Sequence, residues 1–194
     1  MKTGIHEGVR QAYSVAAENP HAKHPFPLGR QFAESLGYWP DILAGIPAAA
    51  VDTFAGASNV AVFADVPPGA MVLDLGCGAG LDSLIAARRV GPTGQVIGVD
   101  FSEAMLRQAR QAATEAGINN VEFHQADAEN LCLDDASIDV ALVNGIFNLN
   151  PARDHIFREL ARVVRPGGAV YAAELILREP LPLETQADET NWFA

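Results

Sequence analysis

The amino-acid sequence predicts an α/β fold, a parallel sheet flanked by helices and preceded by a helical lead-in. One observation is local: Val72-Leu-Asp-Leu-Gly-Cys-Gly-Ala-Gly80 reads as a strand running into a glycine turn, and Val96-Ile-Gly-Val-Asp100 follows as a second strand whose last residue is a carboxylate. Another is the alternation of short apolar runs with segments of apolar spacing near three or four, which implies a parallel sheet with helices on both faces. A third is size, because 194 residues at 49% hydrophobic content can bury a sizeable core.

The elements follow in order. A helix is expected near Glu7 to Glu18, broken by the prolines of Ala22-Lys-His-Pro-Phe-Pro-Leu28, with another near Arg30 to Leu36. Residues 1–68 form this lead-in, a wrapper over the sheet or a lid that carries Tyr13, His24, Tyr38 or Trp39 to a pocket, and residues 69–194 form the core. Met71 to Leu75 is apolar except for Asp74, as befits a strand buried on both faces. Gly76, Gly78 and Gly80 allow a sharp turn and close approach to a ligand, which a Cβ would obstruct. A helix over Gly80 to Val90 and a strand over Gln95 to Asp100 come next. Ser102 can cap a helix running to Ala116, since its hydroxyl can accept from an orphan amide. Strands at Val121 to Gln125, Ile138 to Asn144 and Ala169 to Ile176, with a helix from Ala152 to Val164, complete the core.

The turn chemistry narrows the ligand. Open parallel sheets bind at the carboxyl ends of their strands around the point where strand order reverses. Asp100 stands there and can accept from both hydroxyls of a ribose. A pyrophosphate would sit at the helix N-terminus behind the glycines, but Asp74 directly before them would repel it. Asp74 argues instead for a ligand with a positive end, such as an amino group.

Composition excludes several classes. The formal net charge of -11 disfavours a nucleic-acid substrate, which needs a cationic footprint, and leaves a small neutral, apolar or cationic one. No run of about 18 apolar residues is present, so no membrane span is expected. The first residues lack the apolar centre of a signal peptide, and a cytoplasmic location is the expectation. Cys77 and Cys132 form no metal cluster, and no metal is expected.

Asp74-Leu-Gly-Cys-Gly-Ala-Gly80 resembles motif I of class I S-adenosylmethionine-dependent methyltransferases. Ala87-Arg-Arg-Val-Gly-Pro-Thr-Gly94, Val121-Glu-Phe123, Leu133-Asp-Asp-Ala-Ser-Ile-Asp-Val140 and Phe157-Arg-Glu-Leu-Ala-Arg-Val-Val-Arg-Pro-Gly-Gly168 are similar to the branch containing arsenite and quinone-biosynthesis methyltransferases. Gly37-Tyr38, Ile46-Pro47 and Phe54-Ala-Gly-Ala-Ser-Asn59 resemble the arsenite side. The resemblance implies a Rossmann-like fold and S-adenosyl-L-methionine as cofactor, with S-adenosyl-L-homocysteine as product. It implies that Asp74, Gly76, Cys77, Gly78 and Gly80 form the turn at the methionine portion. Asp100 would hold the ribose and Phe101 pack beside the adenine, Asp127 and Ala128 would meet the adenine edge, and Asn144 and Gly145 would lie under the sulfonium.

Departures matter as much. Arsenite enzymes bind their soft metalloid through thiolates. One such cysteine lies where this chain has Ala57, and another where it has Gly145, so arsenite methylation is not expected. The family also continues past the segment represented by Asn191-Trp192-Phe193-Ala194 into an antiparallel strand pair; without it Ala169 to Ile176 would be an open edge, and a homodimer is expected. An oxygen acceptor would need a base, for which His24, His155, Tyr13 and Glu174 are candidates. Three readings stand: methyl transfer to a small acceptor, a catalytically inactive S-adenosylmethionine-binding sensor or partner subunit, and a nicotinamide-dependent oxidoreductase.

Overall fold

The computed structural model describes residues 2–176. Helices α1 (Lys2–Glu18), α2 (Arg30–Ser35), α3 (Pro40–Ala44), α4 (Ala48–Asp52) and α5 (Val60–Phe63) precede a core of β1 (Met71–Leu75), α6 (Leu81–Val90), β2 (Gln95–Asp100), α7 (Glu103–Glu115), β3 (Val121–Gln125), β4 (Ile138–Asn144), α8 (Arg153–Val163) and β5 (Val164–Ala173). The strands form one five-stranded sheet in the order β3-β2-β1-β4-β5, and every pairing is parallel. Strand order reverses between β1 and β4, so a crevice opens at their carboxyl ends.

Local chemistry explains the elements. Val72, Leu73, Asp74 and Leu75 are all buried, because β1 is the central strand and has helices over both faces. Gly80 takes φ 88° to start α6, a conformation that costs glycine little. Ser102 Oγ accepts from the Met105 amide at 3.4 Å, the expected cap of α7. Gly98 lets β2 pass beneath Phe123: a Cβ there would lie 2.6 Å from that ring and 3.0 Å from Cys77 Sγ. The short α3, α4 and α5 were not expected, since helices of five, five and four residues are too brief to show a helical period.

Two faces carry the core. On one, Leu84 of α6 and Leu106 of α7 pack with Tyr38, Leu43, Val51 and Val60 of the lead-in, so lead-in and sheet share a single apolar cluster. On the other, Ile156, Leu160 and Val163 of α8 pack with Leu73, Leu75, Ile138 and Val143. Leu131 from the β3-to-β4 connection lies in this second cluster. Arg162 secures that connection by donating to the carbonyls of Leu131 at 2.9 Å and Leu133 at 2.7 Å, while Glu159 accepts from the Leu131 amide.

The last strand corrects the sequence expectation. It begins at Val164, directly after α8, and stops at Ala173 rather than Ile176. Its pairing with β4 shifts register between Ile138 and Val140 and ends where Asn144 faces Ala173, because β4 has no further residue to pair. Leu175 and Ile176 are exposed.

Candidate functional site

The crevice holds a cavity that opens to solvent. Its floor is the glycine turn from Asp74 to Ala79; its walls are the ends of β2 and β4, the loop before β4, and, from the lead-in, Val9, Tyr13, Thr53 and Phe54.

Buried carboxylates dominate the floor. Asp74, Asp82 and Asp100 are 2%, 5% and 8% exposed. Ser83 Oγ donates to Asp74 Oδ2 at 2.5 Å. Tyr38 Oη donates to Asp82 Oδ1 at 2.5 Å and Asn144 Nδ2 to Asp82 Oδ2 at 2.8 Å. Asp100 accepts from the Gly78 amide at 2.9 Å through Oδ2 and from the Ser102 amide at 2.8 Å through Oδ1. The Phe101 amide also hydrogen-bonds the Asp100 carboxylate. No arginine, lysine or histidine lines the cavity among the described residues.

Such packing favours the neutral acid. Burial, with the Asp82 charge nearby, pushes Asp74 up to about 8, against the Ser83 hydrogen bond. Burial also raises Asp82, opposed by the bonds from Tyr38 and Asn144, and raises Asp100, opposed by the Ser102 and Gly78 amides. The Tyr13 phenol is raised, chiefly by burial and then by the Asp100 and Glu174 charges, so it remains protonated across the working pH range. Buried carboxyls with no cationic side chain in the cavity wall among the described residues suit a cationic ligand.

The family-level comparison fits this geometry. The model of a methyltransferase domain matches residues 67–193. This chain belongs to the S-adenosylmethionine-dependent methyltransferases. An arsenite methyltransferase of Halobacterium salinarum is 39% identical over 156 residues, 80% of this chain and 40% of that one. A demethylmenaquinone methyltransferase of Bacillus cytotoxicus is 37% identical over 111 residues, covering 57% and 46%. The chain thus spans less than half the length of these curated relatives. An arsenic(III) S-adenosylmethionine methyltransferase from Chlamydomonas reinhardtii superposes with a TM-score of 0.70 at 30% identity, covering 81% of this chain and 58% of that one.

Within the methyltransferase frame, the cavity brings together Asp74, Gly76, Cys77, Gly78, Asp100, Phe101, Ala128, Asn144, Gly145 and Tyr13. Gly80 lies just outside, as the residue before α6. Burial raises the Cys77 thiol, so it acts as a small wall residue rather than a nucleophile. Other candidates lie elsewhere. Asp127 does not line the cavity; its exposed carboxylate pairs with Arg10 at 3.5 Å, and Arg10 lies 5.5 Å over the Phe101 ring. His24 bonds the Asn19 carbonyl at 2.8 Å and His155 is exposed on α8, and neither reaches the cavity. Glu174 accepts from the Phe147 amide at 2.7 Å and the Asn148 amide at 3.2 Å, holding the loop after β4. Trp39 is 64% exposed at the start of α3, whereas Tyr38 is buried beneath the floor.

Asn144, in the cavity wall, also ties the lead-in to β4. Its Oδ1 accepts from the amides of Ala57 at 2.7 Å and Ser58 at 3.1 Å, and its Nδ2 donates to the Ser58 carbonyl at 2.7 Å. The side chain clamps the lead-in against β4, and Gly56 lets them meet: a Cβ there would come within 2.7 Å of the Asn144 carboxamide. Asp82 joins this clamp and was missed in the sequence. An acidic residue in the first turn of a helix reads as a partner of the helix dipole, which hid its burial. Asn150 was missed too, since a lone asparagine before a proline reads as a turn.

Proposed function

We propose that this chain binds S-adenosylmethionine in the cavity and transfers its methyl group to a small, non-arsenical acceptor. The observation that carries the reading is Asp100, a buried carboxylate at the end of β2 that lines the cavity and is bonded to the Gly78 amide, where it can accept from ribose hydroxyls. The residues fit the cofactor: the carboxylates suit its cationic groups, and Gly76 and Gly78, at φ 76° and 52°, let the backbone approach the methionine portion. When bound, S-adenosylmethionine supplies an electrophilic methyl group on a sulfonium.

In this reading Asp74 faces the amino group, Phe101 and Ala128 flank the adenine, and α1 closes the mouth through Val9 and Tyr13. Residues 1–68 act as wrapper and lid at once, consistent with their shared apolar cluster with residues 69–176. Catalysis rests on holding donor and acceptor at attack distance in a water-poor space. Tyr13 donates a hydrogen bond rather than accepting a proton, because its phenol is raised.

A second reading has a specific observation behind it. Of the four candidate bases, His24 and His155 stand outside the cavity and Glu174 is committed to loop amides. This favours either an acceptor that needs no base or a protein that binds the cofactor without turnover. Calorimetric titration with S-adenosylmethionine, S-adenosylhomocysteine and NAD, followed by an acceptor panel, separates them: tight adenosyl binding with no turnover supports the second. NAD binding in preference to both adenosyl ligands would sink both readings.

Arsenite is expected to yield no methylated product. A Cβ built on Gly145 lies 3.6 Å from that of Ala57, so the two positions adjoin, yet neither carries a thiolate. Arsenic speciation after incubation with a thiol reductant checks this, and robust methylarsenite formation would refute it.

A homodimer through the β5 edge, in the cytoplasm, completes the proposal. β5 pairs with β4 on one side only among the described residues, and Val170 is exposed. Light scattering on chain recovered from a cytosolic fraction should give twice the chain mass; a monomer at micromolar concentration counts against it.

A further inference from the structure

We infer that Asn150 reads the adenine edge of the cofactor, its Nδ2 donating to a ring nitrogen; the inference rests on the cofactor reading above. Asn150 is 7% exposed and borders the cavity. Its Oδ1 accepts from the Ala152 amide at 2.7 Å, across Pro151, which fixes the plane of the carboxamide. Nδ2 has no hydrogen-bond partner among the described residues. Nδ2 keeps accessible surface on a residue that borders the cavity, so a ligand acceptor there can take the place of water.

The surroundings name the ligand's chemistry. The carboxylates cluster at the glycine-turn end of the cavity, where a cationic amino-acid portion belongs. At the α8 end the walls are Val99, Ala126, Ala128, Leu149 and Ile156, and Asn150 is the polar side chain among them. An apolar slot with one fixed donor suits a flat heteroaromatic ring that presents a nitrogen lone pair on its edge. Asp127, the residue expected at that edge, is instead drawn to Arg10, which leaves the recognition to Asn150.

The test is calorimetric titration of the full chain with S-adenosylhomocysteine and its 1-deaza, 3-deaza and 7-deaza analogues, for the wild type and Asn150→Asp. Aspartate retains an oxygen for the Ala152 amide but loses the donor. The expected result is a loss of about tenfold in affinity for S-adenosylhomocysteine in the variant. One deaza analogue should show a similar loss on the wild type and no further loss on the variant, the non-additivity of two groups in contact. Wild-type affinity in Asn150→Asp, or independent losses for all three analogues, would overturn the inference. Asn150→Ser, which also keeps an acceptor for Ala152, decides the matter if thermal melting shows that the aspartate variant does not fold. Failure of the wild type to bind S-adenosylhomocysteine would instead overturn the cofactor reading itself.

Discussion

Replacement of Asp100 by alanine is expected to weaken S-adenosylmethionine binding by about 100-fold or more, measured by calorimetry. The carboxylate makes two ligand bonds in the proposed complex, and hydrogen bonds to a charged group contribute about 1.5–3 kcal/mol each. It also holds the Gly78 amide at 2.9 Å, so its loss loosens the turn that the methionine portion approaches. The protein should still fold. Burial raises the Asp100 carboxyl, which means that its charged form already costs stability, and alanine removes that cost while leaving the Gly78 and Ser102 amides unpaired. Asp100→Asn, which retains one acceptor oxygen, should fall between the two. Binding of the cofactor by Asp100→Ala at wild-type strength would refute the site.

Asp74 should make both binding and stability depend on pH. Its carboxyl ionises near 3.8 in an unfolded chain and at about 8 in the folded one, so the folded chain holds an extra proton across that interval. The contribution of this group to stability is therefore complete below 3.8 and declines as pH rises towards 8. Asp74→Asn removes the decline and keeps an oxygen for Ser83. Its melting temperature should exceed that of the wild type, with the gap widening between pH 6 and pH 8. A change of 1 kcal/mol moves the melting temperature of a chain this size by about 2–4 °C, so scanning fluorimetry will resolve it. A gap that narrows with rising pH would refute the assignment.

Ligand binding carries the opposite demand. A cation beside Asp74 favours the carboxylate, so below pH 8 binding must expel a proton. Affinity for S-adenosylmethionine is expected to rise with pH, by up to about tenfold per unit, and to level off near 8. Titrations in buffers of different ionisation enthalpy should report close to one proton released near neutral pH. In Asp74→Asn the pH dependence disappears and affinity falls by about tenfold.

The fold was legible because it is written in local patterns. The five strands and the three long core helices each carry an apolar run or period of their own, and only the last strand was misplaced. Its limits depend on where β4 stops offering partners, which is a property of the neighbouring strand. The glycine turn and Asp100 were legible for the same reason, since their conformational and chemical demands are met within a short stretch of chain.

What the sequence by itself determined was therefore the strand–turn–helix frame, the acidic character of the turn and the class of ligand that this character admits. What only the tertiary structure decided was how distant polar groups share their hydrogen bonds. Asn144 clamps Ala57 and Ser58, Asp82 is consumed by Tyr38 and Asn144, Asp127 turns to Arg10, and Asn150 at the cavity wall binds the Ala152 amide through Oδ1. Each of these side chains carries the same chemistry wherever the chain leaves it. Its role is set by which donor or acceptor the fold brings within about 3 Å, and residues as far apart as Tyr38 and Asp82 meet only after the helices and sheet have packed.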